Sequence, residues 1–226
     1  MTRAGLLCVA LAAALIGGCS KTEVAKSEPA TVGTGGAGAD VKSDDDFVRD
    51  VAAKNMAEIE LSRLALTNAT NANVKVFAQQ LIADHGAAVD RLKSVAAEHS
   101  VAWPGQLDDK QRETADELAT KWGGDFEHEY LKAMVEGHQD LTAKLESRLD
   151  VQSLAAWKTA AAGRAQNQAL PQPNAEMRDV AVRPNQGGSE MTKKINQWAA
   201  DTYPVAQKHL DSARALVNET KKRSTD

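Results

Sequence analysis

Apolar residues recur every three to four positions through four long stretches of the chain, the spacing of an α-helix with one buried face. At about 100° per residue, the first stretch (Phe47 to Thr67) gathers Phe47, Val48, Val51, Ala52, Ile59, Ala65 and Leu66 on one side. The second, Val74 to His99, gathers Val74, Phe77, Ala78, Leu81, Ala88, Val89, Leu92 and Val95. A third follows Asp125 to about Leu149, with Phe126, Tyr130, Met134, Leu141, Leu145 and Leu149 in line. The last starts near Ser189, is interrupted at Pro204 and resumes to about Thr220, carrying Val205, Ala206, Leu210, Ala213 and Leu216. Asp44, Asp45 and Asp46 suit a helix N-terminus, where acids cap and favour the dipole. Trp103-Pro104-Gly105 ends the second helix, and a shorter one fits between Asp108-Asp109 and Gly123-Gly124. Four long helices and a short crossover predict an all-α four-helix bundle.

The remaining segments lack this period. Residues 151–189 hold an alanine-rich piece around Trp157, then Pro171, Pro173, Pro184 and Gly187-Gly188, which predicts an insertion, helical at first and otherwise loop. Residues 19–43 are polar and small, with no apolar periodicity, and predict a tether. Gly33, Gly35 and Gly38 match GxGxxG, but no strand precedes them, so no dinucleotide site follows. The bundle is expected over 44–220, with a polar tail at 221–226. Alanine dominates and only nine residues are aromatic, which argues against a β-sandwich or a large α/β enzyme. A net charge of −4 with mixed signs leaves no basic footprint for nucleic acid.

Residues 1–18 read as a secretory signal: Arg3, an apolar run from Ala4 to Ile16, then Gly17-Gly18 before Cys19. The run is short for a transmembrane helix. Leu15-Ile16-Gly17-Gly18-Cys19 resembles the lipobox of bacterial lipoproteins, which implies cleavage before Cys19 and acylation of that residue. Cys8 leaves with the signal, so the mature chain has one cysteine and no disulfide. Ser20 and Lys21 include no aspartate of the kind tied to inner-membrane retention. The resemblance thus implies an outer-membrane lipoprotein facing the periplasm, with the membrane as partner through its acyl chains.

Polar residues interrupt the apolar faces at one height. Glu58, with Asn55 and Ser62, falls inside the arc of the first helix, whereas Glu60 falls outside. His85 lies near the centre of the second face, with Asp84 at its edge and marginal to any site. His138 lies on the third face and His209 on the fourth, while His128 and Glu136 point outward. Glu58 and His85 sit about 12 and 15 residues from their helix turn, so at 1.5 Å per residue they should be adjacent. His99 belongs to the last turn of its helix, Trp122 and Trp198 are expected between helices, and Trp103 over a bundle end. Two readings of the inward set stand: one metal, zinc or iron, held by Glu58, His85, His138 and His209, or a hydrogen-bonded network that fixes helix register. No cofactor is certain, and no nucleophile, phosphate loop or paired carboxylates supports a catalytic site.

Four pieces carry a family resemblance: Glu58-Ile59-Glu60-Leu61 within the first helix; Val74 to Asp84-His85; Phe126-x-x-x-Tyr130-Leu131 followed by His138; and Tyr203-Pro204 followed by His209-Leu210 and Ala213. They resemble a ferritin-like family of bacterial proteins of unknown function assigned to the outer membrane, over residues 44–149 and 190–217. The resemblance implies a ferritin-like four-helix bundle with a short crossover helix, and an insertion before the last helix where the family has a short link. It implies no activity. Ferritin-like di-iron sites use two Glu-x-x-His motifs, whereas Ile82, Val135 and Ala206 stand three residues before the histidines here. A conventional two-iron site is therefore disfavoured. The sequence supports an envelope protein with a non-enzymatic binding or structural bundle, or alternatively a mononuclear metal protein for storage or redox chemistry, with its protein partner unidentified.

Overall fold

Helix formation begins at the three aspartates, all in the first turn of α1 (Asp44–Asn68). The computed structural model describes residues 44–166 and 180–223, so the signal, Cys19, the tether, Pro171, Pro173 and residues 224–226 lie outside the described residues. After α1 come α2 (Ala72–Glu98), α3 (Asp109–Ala119), α4 (Gly123–Glu146), α5 (Val151–Gln166) and α6 (Glu190–Arg223). None is long and apolar enough to cross a membrane. Residues 69–71 join α1 to α2. Asn71 caps α2 through its side chain. The buried Glu127 carboxylate accepts from the Thr70 and Asn71 amides at 2.7 Å each and from the Thr70 hydroxyl at 2.9 Å, clamping the turn from α4. Asp108 and Gln111 form a capping box at α3. Asp125, where the apolar stretch begins, lies in the first turn of α4 rather than before it. Trp122 takes the cap position without a side-chain bond, and the helix opens on Gly123 at φ +57°, a left-handed conformation that glycine adopts without strain.

Cross-helix pairs fix the topology. Lys144 pairs with Asp50 at 2.7 Å, Lys54 with Asp140 at 2.5 Å, and Ser62 with the Tyr130 hydroxyl at 3.0 Å, so α1 and α4 are antiparallel. Asn73 meets Glu219 at 3.1 Å and the Trp198 indole donates to the Ala88 carbonyl at 2.9 Å, so α2 and α6 are antiparallel too. The helices pack in the cyclic order α1, α2, α6, α4. Helices α2 and α4 therefore run the same way, and the segment holding α3 must return along the bundle, resting on α1 and α4. This is the single long crossover of ferritin-like bundles.

Local expectations change at a few positions. Pro204 does not interrupt the last helix, because α6 continues through it for 34 residues and past the expected tail boundary to Arg223. Tyr203, Ala199, Ala200 and Ala206 are all buried around it, and that packing outweighs the hydrogen bond the proline removes. The expected insertion is helical at first, as predicted: residues 151–166 form the regular helix α5, anchored by Trp157 against Tyr203 and by Lys158 on Glu146, and Pro184 bridges Leu149. Trp122 is 63% exposed rather than packed between helices, and Val205 is also exposed. Ile59 and Leu66 are only half-buried, and Leu61 takes the inward position instead.

The apolar core forms two clusters rather than one. Phe47, Val51, Leu92, Leu145 and Tyr203 belong to the first, and Leu81, Phe126, Tyr130, Met134 and Leu216 to the second. On every long helix the gap between them falls at the same level. Asn55 and Glu58, then His85, then His138, then His209 occupy it, all buried. A polar layer thus crosses the middle of the core, between two apolar clusters.

Candidate metal centre

Each long helix delivers one or two side chains to this layer, because each turns the same face inward at mid-length. The three imidazoles pack with ring centroids 5.2–5.4 Å apart. One ligand nitrogen from each of His85, His138 and His209 can be chosen such that all three lie within 4.8 Å of one another. Glu58 adds its carboxylate, with Oε2 3.1 Å from His85 Nε2 and Oε1 3.4 Å from His138 Nδ1. The predicted adjacency of Glu58 and His85 is what the structure shows.

The outer nitrogen of every imidazole faces an acceptor, which fixes where the protons reside. Asn55 donates its amide to the Val51 carbonyl at 2.5 Å, leaving Oδ1 to accept from His85 Nδ1 at 2.6 Å. His138 Nδ1 donates to the Met134 carbonyl at 2.8 Å. His209 Nε2 donates to Asp84 Oδ2 at 2.8 Å. The unprotonated nitrogens are then His85 Nε2, His138 Nε2 and His209 Nδ1, and they face inward. His85 Nε2 and His138 Nε2 are 3.2 Å apart with no proton between them in the neutral rings, and His209 Nδ1 is buried without a partner. Both Glu58 oxygens are likewise buried without an aligned donor. Inward lone pairs with so few donors leave the layer short of hydrogen-bond partners, a deficit that a bound cation would relieve.

Ionisation agrees with that geometry. Burial, then the neighbouring imidazoles, hold His85 well below its ordinary pKa. Burial and His209 bring His138 down to about 4, and burial lowers His209 despite the Asp84 contact. All three are neutral at pH 7, the form that ligates metals. Burial pushes Glu58 up to about 8, against the opposing effect of Lys54.

Sequence reasoning brought Glu58, His85, His138 and His209 to one layer, and so does the structure. Asp84, marginal in sequence, is placed outside the cluster as the support of His209. Asn55 was inside the arc without a role, and the Met134 carbonyl and Gly137 carried no assignment. Gly137 had a usable signal, since a glycine in mid-helix costs about 1 kcal/mol and implies close approach. A Cβ there would lie 2.5 Å from Glu58 Oε1. Replacing Gly137 with alanine is therefore expected to displace the carboxylate and destabilise the protein by about 1–3 kcal/mol, as overpacking does. Chemical denaturation with an unchanged slope would check it.

A family model described as a domain of unknown function (DUF4142) matches residues 29–168 of the 226. The chain belongs to that family. The matched region starts inside the expected tether, includes α5 and stops before α6. It holds Glu58, His85 and His138, while His209 lies beyond it. Among solved structures, one titled CopM in the Cu(I)-bound form is similar at a TM-score of 0.42 and 15% identity, over 80% of this chain and 95% of that one. A likeness at that level assigns no ligand to this chain. No curated protein matches it.

Proposed function

We propose that this member of the DUF4142 family is a mononuclear transition-metal-binding protein of the bacterial envelope. Its ion is held by His85 Nε2, His138 Nε2 and His209 Nδ1, with Glu58 as the anionic fourth ligand. The observation that supports this is the convergence of one ring nitrogen from each of three buried histidines, with the unpartnered Glu58 carboxyl 3.1 Å from His85 Nε2. Around a tetrahedral ion with bonds of about 2.0–2.1 Å, ligand atoms are roughly 3.3 Å apart. His85 Nε2 and His138 Nε2 already stand at 3.2 Å. Three imidazoles and one carboxylate suit zinc, copper or iron far better than calcium or magnesium, which take oxygen ligands. The outer hydrogen bonds to Asn55, Met134 and Asp84 are the contacts that orient metal-bound histidines. The lipobox-like Cys19 supports placing the bundle on the outer membrane, facing the periplasm.

The test is stoichiometry. The full chain, purified without a histidine tag and stripped with chelator, should bind one zinc(II) or copper(II) per chain by titration calorimetry and elemental analysis. Exchanging either His85 or His138 for leucine should abolish that binding. A wild-type chain that takes up neither zinc, copper nor iron(II) returns the layer to the alternative of a register-fixing network.

A further inference from the structure

The ligands themselves are sealed. His85, His138, His209 and Glu58 side chains are at most 6% exposed, so an ion needs a way in. The three outer hydrogen bonds differ in where they lead. Asn55 is fully buried, and the Met134 carbonyl belongs to a fully buried residue of the same helix as His138. Asp84 alone among these supports reaches solvent, its side chain 30% exposed. Around it, Gln80 and Lys208 are exposed. Gln80 donates to Asp84 Oδ2 at 2.7 Å and steadies the carboxylate at the surface.

The helix that carries His209 lacks one backbone hydrogen bond close by. Pro204, five residues earlier, lacks an amide, so the Ala200 carbonyl loses its helical donor. Val205, the next residue, is exposed and adds little packing. We propose that Asp84 and His209 form the entry and exit port of the metal centre, opened when the part of α6 after Pro204 swings away from α2. An ion then meets the Asp84 carboxylate and the His209 ring first, and passes to His85, His138 and Glu58 as the helix closes. The proposal rests on the metal-binding reading above.

Exchange kinetics test it on the full chain, with zinc(II) as probe and release followed into an excess of a chromogenic chelator. Pro204→Ala restores the missing amide, so it should slow both uptake and release at least tenfold while one zinc is still bound per chain. Asp84→Asn keeps an acceptor for His209 but removes the charge, and should slow uptake at least fivefold. Asn55→Ala removes the equivalent support on the sealed side, and should speed release without slowing uptake. If the Pro204 and Asp84 variants load and release zinc at wild-type rates, the port is wrong although the metal reading stands. If Asn55→Ala slows uptake as much as Asp84→Asn, Asp84 merely positions His209 and the port is also wrong. A wild-type chain that binds no zinc overturns both.

Discussion

Zinc(II) or copper(II) added to the metal-free protein is expected to raise its melting temperature by roughly 8–16 °C. A ligand that binds only the folded chain adds about 4.1 kcal/mol when free ligand is 1,000 times its dissociation constant. A chain of this size gains roughly 2–4 °C per kcal/mol. The affinity behind it draws on polar atoms that lack partners in the metal-free chain. Without an ion, two inward nitrogens face each other at 3.2 Å, and His209 Nδ1 and both Glu58 oxygens have no partner. Differential scanning calorimetry on the stripped and reloaded chain measures the gain. His85→Leu and His138→Leu should eliminate it, and magnesium or calcium should produce none. A melting point indifferent to zinc, copper and iron(II) would sink the metal reading.

The depth of the layer could be read from sequence because helices have a fixed rise and a fixed angle per residue. Those two constants put Glu58 beside His85, and His138 and His209 on inward faces, without knowledge of which helices touch. The helix order is less legible, since it depends on pairs such as Lys54 with Asp140 and Trp198 with Ala88 that join residues far apart in the chain. Pro204 misled for a related reason. Its local cost is real, but burial of Tyr203 and Ala206 on either side is a tertiary effect that no local pattern contains. Supports of the histidines were partly hidden too. The Met134 carbonyl is backbone and leaves no side-chain signature, and Asp84 at the edge of its face looked like a surface acid until α6 packed against it. Trp122 shows the opposite error, where a large apolar residue assumed to pack sits at a helix start facing water.

Replacing Glu58 with leucine should stabilise the metal-free protein by about 1–3 kcal/mol, because a buried carboxyl without a hydrogen-bond partner costs about that much. The pH dependence identifies the source. Glu58 rises from 4.5 to about 8 on folding, so its contribution to stability is fully present below pH 4.5 and is lost as pH rises through 8. The three histidines have lowered values, so their contributions vary below pH 6.5 and are constant above it. Between pH 6.5 and 8 the wild-type chain should therefore lose stability, because the folded Glu58 holds a proton that the unfolded chain has released, with a limiting slope of about 1.4 kcal/mol per pH unit. In Glu58→Leu that decline should disappear, and zinc affinity should fall at least tenfold with the anionic ligand gone. Urea denaturation across this pH range, with and without zinc, measures all three effects. A network kept only to fix register predicts the reverse sign, since breaking a satisfied buried cluster costs about 3–5 kcal/mol. The direction of the Glu58→Leu change thus separates a carboxylate retained for an ion from one retained for the fold.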